Sequence, residues 1–181
     1  MSTLPSVYTY SPQQARVIRL YDEYRSCLMN AKYYGRHLSH LKLAALFSDI
    51  LVVLGTSSAF AGLAIWKNHV GANVWSAVLA MSVLIAALRP ILKITDQIDR
   101  YAKLQYGYLE VFYRLQSLTG DIRDAGGMNH DLQLRATELD DRYRALEMED
   151  DAYQNPKKML KAQDEVERSI PSDSLWLPQE A

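Results

Sequence analysis

The sequence predicts an all-α membrane protein: a two-span transmembrane helical hairpin with long antiparallel cytoplasmic helical arms and a C-terminal helical appendage. Three observations predict it. Residues 43–66 carry one charge, Asp49, in 24 positions, and residues 70–88 carry none in 19. At about 1.5 Å per helical residue, each run reaches across a ~30 Å hydrocarbon core. Two such runs in tandem are hard to bury inside a chain of 181 residues. Basic residues are distributed unevenly about the runs, and heptad-spaced apolar residues flank them on both sides. The net charge of −1 leaves no global basic field for nucleic acid.

The N-terminal arm, residues 1–42, opens without a basic n-region or an apolar h-region, so no signal peptide is expected. Ser11-Pro12 reads as an N-cap followed by proline at the first helical position. Apolar or small residues then recur at Val17, Leu20, Tyr24, Cys27, Ala31, Tyr34, Leu38 and Leu41, alternating steps of three and four. No proline separates this arm from the first span, so one helix is expected from Pro12 to Trp66. Cys27, without a second cysteine, forms no internal disulfide and is expected as a cytosolic thiol.

The first span, residues 43–66, is followed by a short external loop, 67–71, and the second span, 72–92. Arg16, Arg19, Arg25, Lys32, Arg36 and Lys42 precede the first span, whereas the loop region carries only Lys67. Arg89, Lys93, Arg100 and Lys103 follow the second. The positive-inside rule therefore places both termini in the cytosol, and Trp66 and Trp75 flank the loop as interfacial rings. Small residues recur in both spans, Ser48, Gly55 and Gly62 in the first and Ala72, Ser76 and Ala80 in the second. Such ridges let helices approach closely in lipid. Thr56, Ser57 and Ser58 ring one turn with hydroxyls, more than one partner helix covers, which points to further subunits or to water. Counting outward from the loop, Asp49 lies level with Arg89. It either pairs with that cation or lines an acidic path in an oligomer.

The second arm, residues 93–125, follows Pro90, where a kink is expected. Its seam runs Ile91, Ile94, Ile98, Tyr101, Gln105, Tyr108, Phe112, Leu115, Thr119 and Ile122. Paired antiparallel, residues whose numbers sum to roughly 139 should lie level, which matches Leu38 with Tyr101 and Leu41 with Ile98. Gly126-Gly127 ends this arm. The appendage, residues 126–181, begins acidic: residues 120–151 hold ten Asp/Glu against four Arg. Leu132, Leu139, Tyr143 and Leu146 fit one helical face, Asn155-Pro156 starts another helix, and the tail around Trp176 is expected to dock.

No phosphate-binding glycine loop, metal-ligand spacing or nucleophile elbow is present in the sequence, so neither an enzyme nor a cofactor is expected. His37 and His40 stand one turn apart, but no carboxylate or thiol joins them at ligand spacing, and they read as interfacial side chains. The twelve tyrosines read as an aromatic packing seam rather than a stacking surface for a nucleotide.

The arms and spans together, "RLYDEYRSCLMNAKYYGRHLSHLK", two spans with a minimal loop, then "ILKITDQIDRYAKLQYGYLEVFYRLQSL", resemble the SLATT family of bacterial two-transmembrane effectors. The likeness covers residues 12–122. It implies an inner-membrane effector of antiviral conflict systems, a homo-oligomer that permeabilises the membrane when a nucleotide second messenger or a partner protein triggers it. It carries no catalytic residues onto this chain. The alternative is a coiled-coil membrane scaffold that recruits a cytosolic partner without forming a pore.

Overall fold

The structure, a computed structural model, describes residues 10–56, 69–171 and 175–178. All secondary structure among them is helical: α1 (Pro12–Thr56), α2 (His69–Leu92), α3 (Ile94–Asp124), α4 (His130–Glu147) and α5 (Pro156–Ser169). The chain divides into two compact units, one formed by Met1–Tyr34 with Lys103–Ala181, the other by Gly35–Ala102.

In the first unit the helix ends follow from local chemistry. Ser11 and Gln14 form a reciprocal capping box: the Gln14 N–H donates to Ser11 Oγ at 3.3 Å, and the Ser11 N–H to Gln14 Oε1 at 3.1 Å. Helix α3 stops in a Schellman motif. Gly126 takes φ +70, its N–H bonds the Arg123 carbonyl, and the Gly127 N–H bonds that of Ile122. Asn129 and Asn155 cap α4 and α5 through their side-chain oxygens, with Pro156 at the first position of α5.

The four segments of this unit enclose one core. The first half of α1 contributes Val17, Leu20, Tyr24, Cys27, Ala31 and Tyr34, all buried. Helix α3 buries Leu104, Tyr108, Val111, Phe112, Leu115, Leu118 and Ile122. That stripe is wider than a two-helix seam, because α3 packs on α1 and on α4. Tyr24 stacks on Phe112 at 4.6 Å and Tyr34 on Tyr108 at 6.0 Å, which sets α1 and α3 antiparallel. Gly107 lets α4 approach: a Cβ there would stand 2.6 Å from Leu146 Cδ2. Leu132 and Leu139 of α4 and Ala162 and Val166 of α5 complete the core.

The segment after Gly126 is thus built into the bundle with the arms. Its acidity complements the basic face of α1: Arg19 meets Asp140 at 3.2 Å, Lys32 meets Glu165 at 3.6 Å, and Arg25 pairs with Glu167. These pairs are solvent-facing and each contributes at most about 1 kcal/mol, so they orient the helices more than they hold them. The tail docks on α1, where Gln14 Nε2 donates to the Pro178 carbonyl at 3.1 Å and the Tyr21 hydroxyl is hydrogen-bonded to the backbone of Trp176.

In the second unit, the remainder of α1 lies beside α2. The Ser82 hydroxyl donates to the Leu51 carbonyl across the pair and to the Val78 carbonyl of its own helix, each at 2.8 Å. Helix α2 continues through Pro90 and breaks three residues later, at Lys93, which takes φ +46. The Lys93 carbonyl accepts the Gln97 N–H at 3.1 Å and so opens α3.

Candidate functional site

Two arrangements stand out, one in each unit. In the second, the α1–α2 contact is narrow and nearly all other apolar surface is open. On α2 the half-buried and buried positions Trp75, Val78, Ser82 and Ile85 repeat at helical spacing and form the contact side. On α1, Ser48 and Gly55 lie on the matching side, and Gly55 is buried against the Ser82 side chain, leaving no room for a Cβ. Ser82 was not legible as a contact, although its place in that heptad with Val78 and Ile85 was available. Ser76 and Ala80 are exposed, away from this contact.

Leu43, Leu46, Phe47, Ile50 and Val53 of α1 are exposed, as are Val74, Leu79, Met81, Val83, Leu84 and Leu88 of α2. At 100° per residue, the open positions on α2 occupy more than half of its circumference. Among the described residues, one helix, Pro12–Gly55, is long and apolar enough to cross a membrane, and only 11% of its most apolar stretch is buried. Asn73–Leu88 is a shorter apolar helix.

Asp49 is half-buried on α1. The side chains of Thr56, Ala72 and Arg89, and the residues Ser57, Ser58 and Gly62 altogether, lie outside the described residues, as does the Asp49–Arg89 pairing. Nearer the bundle, Leu38 is buried, Leu41 and Ile98 are half-buried, and the Tyr101 ring packs on His37 at 5.6 Å. His40 is exposed.

In the first unit, a tyrosine cluster holds the segment between α4 and α5. Tyr33 and Tyr34, on consecutive positions of α1, meet edge to face at 5.1 Å. The Asn155 N–H donates to the Tyr33 hydroxyl at 3.0 Å, and the Asp151 N–H to the Tyr34 hydroxyl at 3.2 Å. From α3, the Tyr108 hydroxyl donates to Asp150 Oδ1 at 2.7 Å, and Gln154 Nε2 reaches Asp150 Oδ2 at 3.2 Å. Burial pushes the Asp150 carboxyl above the ordinary aspartate range, while the bonds from Tyr108 and Tyr34 pull it back. Burial, with Asp150 beside them, raises the Tyr108 and Tyr34 phenols, so both stay neutral donors or acceptors at any ordinary pH. The arrangement is a latch from α1 and α3 onto the α4–α5 segment. Among the described residues no group of three His, Cys, Asp or Glu could hold a metal ion. The tyrosines were read as packing; that their hydroxyls grip backbone more than 100 residues away has no local signature.

No family model, no curated protein and no solved structure matches the chain.

Proposed function

We propose that this chain is a membrane effector of a bacterial defence system. In this reading, residues 43–66 and 72–92 cross the inner membrane as a two-span hairpin with both termini in the cytosol. Copies of the chain assemble into a homo-oligomer that permeabilises the membrane when a cyclic nucleotide or a cytosolic sensor protein acts on the helical bundle. One observation carries the membrane part: the apolar faces of α1 and α2 are exposed within the chain. A core helix of a water-soluble protein hides such side chains. Leaving Leu43, Leu46, Phe47, Ile50 and Val53 in water would forgo about 2 kcal/mol each, together comparable to the whole stability of a domain. The open positions surround most of α2, and lipid covers a helix from all sides where one partner helix covers a single face.

The effector role draws on the resemblance of residues 12–122 to the SLATT family and on the polar residues within the spans. Asp49 and Thr56 lie one heptad apart on α1 and, in an oligomer, would line the cytosolic mouth of a conducting path.

Two measurements test the proposal. A cysteine at Asn68 should react with an impermeant reagent from the periplasmic side of intact cells; reaction only after lysis removes the two-span topology. Expression should then arrest growth with leakage of ions or dye, and Asp49→Asn at equal protein level should reduce cation preference. Normal insertion without any leakage favours the scaffold.

A further inference from the structure

Helices α4 and α5 cover the arms of the first unit by unequal means. Helix α4 inserts large side chains: Leu132 and Leu139 are buried, the Tyr143 ring meets Tyr108 at 6.1 Å, and Leu146 fills the space beside Gly107. Helix α5 buries Ala162 and Val166, smaller apolar side chains, while its Leu160 is 60% exposed. Hydrophobic hold scales with the apolar area removed from water, so the core contacts of α5 hold it less tightly.

The packing of α5 on α1 is also open. A cavity of about 330 Å³ lies between them, lined by Asp22, Arg25, Ser26 and Met29 of α1 and by Gln163 and Val166 of α5. Side chains on facing walls make no contact across such a space, and their dispersion attraction is lost. Arg25 Nε, in one wall, is buried and bonds no acceptor among the described residues, a cost that opening relieves. The ion pairs on this side, Arg25 with Glu167 and Lys32 with Glu165, join part-exposed side chains that salt screens.

The ends of this segment are held differently from its middle. At the start, the Asn155 N–H is bonded to the Tyr33 hydroxyl, and the Asn155 side chain caps α5. Beyond the end of α5, the tail closes on the opening turns of α1. Pro178 is buried there and Leu175, Trp176 and Leu177 are half-buried, with Gln14 bonded to the Pro178 carbonyl and Tyr21 to the backbone of Trp176. Gln14, Tyr21, Arg25 and Lys32 follow one another by steps of seven, four and seven, which is a single stripe of α1. Tail and α5 thus cover consecutive stretches of one face.

We infer that α5 and the tail form a strap, hinged at the tyrosine latch and clasped by residues 175–178, that opens from α1 while α4 stays in place. Elements with few buried apolar contacts open in this way ahead of the rest of a domain. Opening bares Tyr21, Arg25 and Met29 and leaves the core of α1, α3 and α4 folded. The inference concerns the bundle by itself and stands apart from the membrane reading.

Hydrogen exchange of the full chain in detergent, read by mass spectrometry, tests it. Residues 156–169 should exchange faster than residues 130–147 and 104–122. High salt should speed exchange at 156–169 about fivefold and leave 130–147 unchanged, and Glu167→Gln at low salt should act in the same direction. Trp176→Ala with Leu177→Ala should loosen the clasp and speed exchange at 156–169 about tenfold. Equal protection of 130–147 and 156–169, or a joint rise in both with salt or in Glu167→Gln, shows that α4 and α5 open only together and overturns the inference. Exchange at 156–169 that ignores the tail substitutions removes the clasp and overturns it as well.

Discussion

Cys27 and Asp150 show how burial sets the chemistry of single residues. Cys27 is fully buried, and burial pushes its thiol far above the ordinary range, so the thiolate that reacts is scarce. Native protein should therefore resist maleimide, and its labelling rate should track opening of the bundle; fast reaction under native conditions would show that the core is open. Asp150 works in the opposite sense to a salt-bridged carboxylate. Its pKa is raised on folding, so between the unfolded and folded values the native state holds more protons, and its contribution falls as pH rises through that window. Glu23, also raised chiefly by burial, adds with the same sign. The bundle should thus be more stable on mild acidification than at neutral pH, as far as these two groups are concerned. Asp150→Asn should flatten that slope in melts taken across the acidic range. Tyr108→Phe removes a donor from a half-buried carboxylate and should cost about 1–3 kcal/mol, with the slope made steeper. A Tyr108→Phe protein as stable as the parent would reduce the latch to simple ring packing.

At the scale of elements, helix ends and helix contacts obey different kinds of information. The starts of α1 and α5 and the stop of α3 were readable as Ser11-Pro12, Asn155-Pro156 and Gly126-Gly127, because caps act over a few residues. A kink was expected at Pro90; the helix instead runs on through it and breaks at Lys93. Proline withdraws one hydrogen bond from the turn before it, but the helix ends where the backbone first adopts a non-helical conformation. The α1–α2 contact depends on Gly55 and Ser82, whose side-chain space is shared. Gly55→Ala should separate the helices and lower thermal stability in detergent, by about 1–3 kcal/mol as for other overpacked contacts. Gly55→Ala with Ser82→Gly should recover most of the loss, although the interhelical bond worth roughly 0.6–2 kcal/mol is gone. Failure of the second change to rescue the first would mean that the two residues do not meet.

For the molecule as a whole, the consequence concerns the segment after Gly126. Leu132, Leu139, Ala162 and Val166 are buried against the arms, so α4 and α5 are part of the core. Truncation after Gly127 should expose the outer half of the α3 stripe, including Leu104, Val111 and Leu118. Helicity of the bundle should drop and proteolysis accelerate, while membrane insertion of the apolar runs proceeds unchanged; a truncated chain with full helicity and protease resistance would show that the arms fold as a pair. The sequence by itself determined the all-helical class, the caps at Ser11, Gly126-Gly127 and Asn155, the long apolar runs and most of the α1 seam, since each depends on period, length or neighbours a few residues apart. The tertiary structure alone decided that the acidic segment closes over the basic arm, that Tyr33, Tyr34 and Tyr108 grip the α4–α5 segment, and that Ser82 meets Leu51. Those contacts join residues that are 31 to 142 positions apart, and no local periodicity specifies which of several apolar or polar faces will meet.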